Sequence, residues 1–363
     1  MSLSRRQFLI GAGSLGTLAA AGAFAAWRGS RPAPRAYLVQ GVGHPELSNQ
    51  TDYKMRVAPH LPGKILIVDM QTLQPWEQNI PVSVHKFTQS PAQPEILFGA
   101  SKWSDGAVIY DLEKRELVRV LRAPAKTENF FGHGIFSEDG SAFYASGHNF
   151  EKKQGLILIY STRDWTLLDS VDSGGLFPHE ITRLPNGQIM IANSVDPENL
   201  KSASLTFFDE REFKMQRRIL LPFAQHFCVR PDGLVTAGSW NPLTLRNGVY
   251  TVDLKSENGD VKEVLSSGQY EGEPLNFLNL SGDRTLISVA QSGFLGVHDF
   301  AKQTLQPYRF PGHVKSVSQY QGALYVTSSR GFLQIPILED GLGKAVQIGH
   351  DVDWGPHSDI MYL

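Results

Sequence analysis

The stretch Lys64-Ile-Leu-Ile-Val-Asp69 reads as a short β-strand ending in an aspartate, a residue that starts turns. The same unit returns as Ala107-Val-Ile-Tyr-Asp111, Leu156-Ile-Leu-Ile-Tyr160, Leu205-Thr-Phe-Phe-Asp209, Val249-Tyr-Thr-Val-Asp253, Leu295-Gly-Val-His-Asp299 and Phe332-Leu-Gln-Ile-Pro336. Before each internal copy lies a second strand ending in small residues: Ile96–Ala100, Ala142–Ser146, Ile189–Asn193, Leu234–Gly238, Thr285–Ala290 and Leu324–Ser328. After the copies come outer strands such as Leu117–Leu121 and Trp165–Ser170. Turns such as Glu138-Asp139-Gly140, Pro185-Asn186-Gly187 and Pro231-Asp232-Gly233 separate them. The unit repeats every ~45 residues, the span of a four-stranded propeller blade.

Seven such units predict an all-β protein, a seven-bladed β-propeller. The innermost strand of each blade is expected to begin near His85, His133, His179, His226, Asn276, Lys315 and His357. The chain ends after one inner strand, Ser358–Leu363, and its folded part begins with an unassigned strand, Ala36–Gln40. Pairing of these N-terminal and C-terminal strands would close the ring and remove free sheet edges. Six or eight blades would leave strands unmatched. A two-domain β-sandwich lacks a linker, and a beaded array gives no reason for split termini.

Composition narrows the function classes. The 363 residues carry 34 Lys plus Arg against 36 Asp plus Glu, a net charge of -2, with no basic block of the kind that nucleic acid requires. The single cysteine, Cys228, excludes an internal disulfide and cysteine-based zinc or iron–sulfur sites. No His-Glu-x-x-His or Gly-x-Ser-x-Gly motif occurs, and the glycine-rich matches lack the strand–loop–helix setting of a phosphate loop.

Residues 1–26 read as an address, leaving 27–363 as one propeller domain. Ser4-Arg5-Arg6-Gln7-Phe8-Leu9 carries paired arginines, followed by a mildly apolar Gly/Ala-rich run and the small residues Ala23-Phe-Ala-Ala26. This is the pattern of a twin-arginine export signal, which predicts export of the folded protein to the periplasm. A permanent membrane anchor is not expected, because the run is weakly hydrophobic and no second apolar run of 18 residues follows. A soluble monomer is expected.

Aligning the inner strands produces a column of His85, His133, His179, His226, Asn276, Lys315 and His357. Histidine is 11 of 363 residues, so seven positions would hold about 0.2 by chance, and this column holds five. Converging imidazoles suit Cu, Fe or Zn. Crowded protonated rings would repel, so the rings should be neutral or hold a metal or an anion. His85, His133, His179, His226 and His357 are therefore candidate metal ligands at the mouth of the central channel, with Asn276 and Lys315 lining it. An anionic ligand or a polar channel lining are the other readings. Longer segments on the same face, Gly41–Pro62 and Gly147–Gly155, add His44, His60 and His148 as lid or lining candidates. An oxidoreductase or hydrolase at this site, or a non-catalytic interaction scaffold, are the alternatives to metal binding.

The export signal, Phe131-Gly-His133-Gly with Phe136-Ser-Glu-Asp-Gly140, Phe177-Pro-His179-Glu180 and Gly355-Pro-His357-Ser-Asp359 resemble the DUF1513 family of exported bacterial proteins, within the YVTN-like and quinoprotein-like propellers. The resemblance covers essentially the whole mature chain. It implies a seven-bladed ring and, from the company its members keep, a role near imelysin-like and di-haem oxidoreductase-like proteins in iron or other metal handling.

Overall fold

Ile65 and Ile67 pack in one buried cluster with Phe87, Val108 and Tyr110, whereas Leu66 and Val68 pack in another with Tyr325 and Phe332. Alternate side chains leave a strand on opposite faces, so a strand buried on both faces must lie in a sheet sandwiched between two others. The computed structural model describes residues 34–42, 61–102, 104–194, 203–222, 224–241, 246–256, 259–265, 274–280, 283–289, 293–310, 312–349 and 357–363. Its strands form seven four-stranded antiparallel sheets.

One blade joins the two ends of the chain: β1 (Ala36–Val42), β2 (Gly63–Asp69) and β3 (Pro75–Ile80) follow the last strand, β28 (Ser358–Tyr362). The second blade holds β4 (Lys86–Gln89), β5 (Ile96–Ala100), β6 (Gly106–Asp111) and β7 (Glu116–Arg122). The third holds β8 (Glu128–Phe136), β9 (Ala142–Asn149), β10 (Gln154–Ser161) and β11 (Leu167–Asp172). In the fourth are β12 (Leu176–Arg183), β13 (Ile189–Ser194), β14 (Ser204–Phe208) and β15 (Met215–Leu220). The fifth consists of β16 (His226–Val229), β17 (Leu234–Asn241), β18 (Arg246–Asp253) and β19 (Asp260–Leu265). The sixth runs β20 (Pro274–Asn279), β21 (Arg284–Val289), β22 (Phe294–Asp299) and β23 (Thr304–Arg309). The seventh runs β24 (Val314–Tyr320), β25 (Ala323–Ser328), β26 (Gly331–Pro336) and β27 (Val346–Gly349).

The inner strands touch in a closed circuit: β4, β8, β12, β16, β20, β24, β28 and back to β4. This is the predicted seven-bladed ring. Seven apolar clusters form its core, one between each pair of neighbouring blades. The termini close the ring as expected, with Ala36 opposite Tyr362 and Gln40 opposite Ser358. Hydroxyl contacts latch the last strand to the seventh blade: Ser358 Oγ lies 2.8 Å from both Ser316 Oγ and Ser318 Oγ.

The aspartates ending the repeated strand act as the sequence suggests. Asp69 Oδ1 accepts from the N–H groups of Gln71 (2.8 Å) and Thr72 (3.0 Å), and Asp209 does the same for Arg211 and Glu212. Each carboxylate thus satisfies turn donors that the sheet leaves unpaired. Residues 1–33, with the predicted export signal, lie outside the described residues, as does 43–60. No helix among the described residues is long and apolar enough to cross a membrane.

Candidate metal centre

Five blades each bring one histidine, within or directly before the inner strand, into one group of packed rings. His85 precedes β4 and its N–H donates to Ala100 at 2.8 Å, so the ladder already holds its backbone. His226 opens β16 opposite Gly238, and His357 directly precedes β28. His133 and His179 lie inside β8 and β12 at irregularities in pairing. Between Phe130 and Gly134, four steps of β8 span only Gly147 to Ala145 of β9. Ser146 repairs the bulge: its hydroxyl accepts from the His133 N–H (3.2 Å) and donates to the His133 carbonyl (2.9 Å). In β12, Pro178 to Ile181 spans only Asn193 to Ile191, and this extra residue brings His179 and Glu180 to the same group of rings. Bulges re-aim side chains in this way beside functional sites.

The backbone is specialised at the same places. Phe177, buried just before His179, has φ +51°, and Gly132, just before His133, has φ +94°. A Cβ on Gly132 would sit 2.5 Å from His85 Cδ2, so only glycine lets that ring approach.

The five rings pack against one another. Centroid separations are 4.3 Å for His133–His179, 4.5 Å for His85–His357, 4.6 Å for His179–His226, 5.0 Å for His133–His357 and 5.2 Å for His85–His133. One ligand atom from each of His85, His133, His179 and His357 falls within 4.8 Å of the others, and a second set of this kind is His133, Glu180 and His226. The sequence predicts these rings at the mouth of the central channel. In the structure His133, His179, His226 and His357 are buried, at 2, 0, 2 and 6 % exposed, and His85 is half-buried. The buried Phe131 ring lies edge-on to His179 at 5.7 Å.

The Nε2 atoms of all five histidines are buried without a hydrogen-bond partner. His179 Nδ1 lies 3.3 Å from the Phe131 carbonyl, an acceptor only, so Nδ1 carries the proton and Nε2 keeps its lone pair. Burial pushes the His85, His179 and His357 pKa values well below the ordinary range, helped by neighbouring cationic groups. Burial takes His133 to about 4, although Glu180 pulls the other way. At neutral pH these four rings are uncharged, the form that binds metal.

Glu180 Oε1 stands 3.3 Å from His133 Nδ1 and 3.2 Å from Lys86 Nζ, and its Oε2 stands 3.4 Å from His226 Nδ1. Burial pushes the Glu180 carboxyl up, but the adjacent His133, Lys86 and His226 hold it well below the usual range. Because His133 is neutral at pH 7, Lys86 is the cation that keeps Glu180 ionised there. Burial likewise opposes the charge on Lys86, yet Asp359 (3.9 Å) and Glu180 hold it well above its usual value. Lys102 sits 5.8 Å over the Phe131 ring and disfavours protonation of His85 and His179.

Asn276 and Lys315 occupy the matching strands β20 and β24, where Asn276 donates to Ser288 Oγ at 2.8 Å. His148 is not in a loop. It lies near the end of β9, fully buried, 4.4 Å from the Phe177 ring and 4.9 Å from Phe150, because the hairpin pairs as far as Asn149 and Gln154. His44 and His60 fall outside the described residues. Burial pushes the Cys228 thiol up to about 12, which removes it as a nucleophile at neutral pH.

The roles of Glu180, Lys86 and Lys102 escape the sequence reading. The available signal was adjacency, since Lys86 follows His85 and Glu180 follows His179. Strict strand alternation argues against using it.

A family model described as "Protein of unknown function (DUF1513)" matches residues 78–264, more than half of the chain. The chain belongs to that family. No curated protein matches it in sequence. Among solved structures, a chain of hydrazine synthase from Kuenenia stuttgartiensis superposes with a TM-score of 0.61 at 13 % identity, covering 79 % of this chain and 90 % of that one. A protein from Lactobacillus plantarum gives 0.60 at 13 % identity, with coverage of 91 % and 99 %. A protein of unknown function from Bacteroides caccae gives 0.51 at 14 % identity, with coverage of 90 % and 99 %. At these identities the likeness is one of fold.

Proposed function

We propose that this DUF1513 protein binds a transition-metal ion of the Cu, Fe or Zn class through His85, His133, His179 and His357. The observation that carries this reading is the set of orphaned nitrogens. A polar channel lining would pair its imidazoles with one another or with backbone, whereas here every Nε2 of the cluster is buried and unpartnered. Each such atom costs about 1–3 kcal/mol if left unsatisfied. A metal ion accepts their lone pairs at once, and neutral imidazole is a ligand such ions favour.

The twin-arginine motif and the family resemblance support the wider setting. In this reading the protein is exported folded to the periplasm and serves metal handling as an accessory, beside imelysin-like or di-haem oxidoreductase-like partners. Export of a folded chain would let the site load before it leaves the cytoplasm.

The test is elemental analysis of protein recovered from the periplasm after export by its own signal. Stoichiometric metal is expected in the wild type, and its loss in the folded His133→Ala/His179→Ala variant. Metal retained in that variant, or none bound by the wild type when Zn(II), Cu(II) and Fe(II) are offered, would refute the reading.

A further inference from the structure

The four-histidine set leaves His226 and Glu180 unused, although both face the same cluster. Glu180 contacts His133 Nδ1 at 3.3 Å through one oxygen and His226 Nδ1 at 3.4 Å through the other. Those separations are long for a charge-assisted N–H···O bond, which is about 2.7–2.9 Å. The His226 contact is a hydrogen bond near its upper distance limit, and His133 Nδ1 has no partner that meets hydrogen-bond geometry. The separations do match another quantity. Each nitrogen–oxygen pair, taken singly, has the separation of about 3.3–3.4 Å of two ligands on a tetrahedral ion with bonds of about 2.0–2.1 Å, and one donor atom from each of His133, Glu180 and His226 lies within 4.8 Å of the others.

We propose that His133, Glu180 and His226 form a second metal site, joined to the four-histidine site through the two nitrogens of His133. This rests on the metal reading above and deepens it. His133 is the one residue common to both donor sets, and both of its ring nitrogens are buried and unpartnered. An imidazole that binds metal through Nε2 and Nδ1 must first lose its ring proton, which passes to solvent as the second metal–nitrogen bond forms. The bridge is then an imidazolate, and its negative charge offsets part of the repulsion between the two ions.

Glu180 supplies the anionic donor that the all-imidazole set lacks. Lys86 Nζ, 3.2 Å from Glu180 Oε1, keeps the carboxylate ionised and also repels a second cation. The second site therefore fills after the first and holds its ion more weakly. A two-ion centre of nitrogen donors and one carboxylate suits Cu(II) or Zn(II).

The experiment is equilibrium dialysis of metal-free, full-length protein against Zn(II), with bound metal counted by elemental analysis. Two ions per chain are expected in the wild type. Glu180→Gln and His226→Ala should each bind one, with folding checked by circular dichroism. Loading with Cu(II) supplies an independent readout. The bridged pair should show a weakened, magnetically coupled electron paramagnetic resonance signal, and His226→Ala should show the full signal of one isolated ion. One ion in the wild type, unchanged in His226→Ala, overturns the second site and leaves the four-histidine reading intact. No ion in the wild type overturns both. Two ions retained in His226→Ala, or two magnetically independent Cu(II) ions in the wild type, also overturn the proposal.

Discussion

Replacing Gly132 by alanine tests whether His85 belongs to the metal set, because the expected displacement can be read from the geometry. The new Cβ would lie 2.5 Å from His85 Cδ2 and 2.9 Å from Cγ. Ordinary carbon–carbon contact is about 3.5–4.0 Å, so the ring must retreat by about 1 Å. Metal–ligand distances tolerate about 0.2 Å. His85 should therefore leave the coordination sphere, and affinity for Zn(II) should fall by at least the roughly 10–100-fold that follows disturbance of a ligand's supports. The substitution also strains the backbone, since φ is +94° there. Gly187→Ala is the matched control: its φ is +82° and nothing lies within 4 Å of the added methyl. Both variants should lose about 1–2 kcal/mol to the left-handed backbone. Only Gly132→Ala should lose metal affinity. Urea unfolding of the metal-free proteins measures the first effect, and calorimetric Zn(II) titration measures the second. Wild-type affinity in Gly132→Ala would remove His85 from the ligand set, and an equal affinity loss in Gly187→Ala would reduce the effect to general loosening.

Metal should stabilise the fold by mass action, about 2.7 kcal/mol at a free concentration of 100 times Kd, seen as a raised thermal midpoint that the His133→Ala/His179→Ala variant lacks. Equal midpoint shifts in both proteins would contradict this. His148, pushed down to about 4 by burial, stays neutral in the native state while the unfolded chain takes up a proton near pH 6.5. Its contribution is thus intact above pH 6.5 and is lost as pH falls toward 4, by about 2–3 kcal/mol at pH 4.5. His148→Phe should flatten the acid side of the urea stability profile, and an unchanged slope would refute the assignment. Deleting Ser358–Leu363 removes β28, its Ser316 and Ser318 contacts and the buried Met361. About 5 kcal/mol or more should be lost from hydrogen bonds and core together, with aggregation through the exposed edge of β1. A soluble truncated protein with an unchanged unfolding midpoint would break the closure argument.

Much of the fold was legible in the chain. Blade strands buried on both faces read as apolar runs, their aspartates as turns, and their recurrence as a count of seven. Strand pairing then leaves the two ends no partner but each other. The histidine column was visible for the same reason, since equivalent positions in a closed repeat lie at equal radius. Asn276 and Lys315 share that column, yet the column alone could not say that the five imidazoles pack ring against ring.

What the linear pattern determined was therefore radius and blade: which residues start inner strands, and that five of them are histidines. Only the tertiary structure decided that Glu180 joins His179 at one centre. Alternation sends neighbouring strand residues to opposite faces, and the extra residue between Pro178 and Ile181 undoes it. The folded structure also buried four of the five rings, brought Lys86 from the second blade against Glu180 of the fourth, and reserved Gly132 for the space beside His85. These are contacts between segments about 50 to 95 residues apart. The repeat specifies where each strand lies, but a shift of one residue in a ladder sets where its side chains aim, and pairing in three dimensions selects that shift.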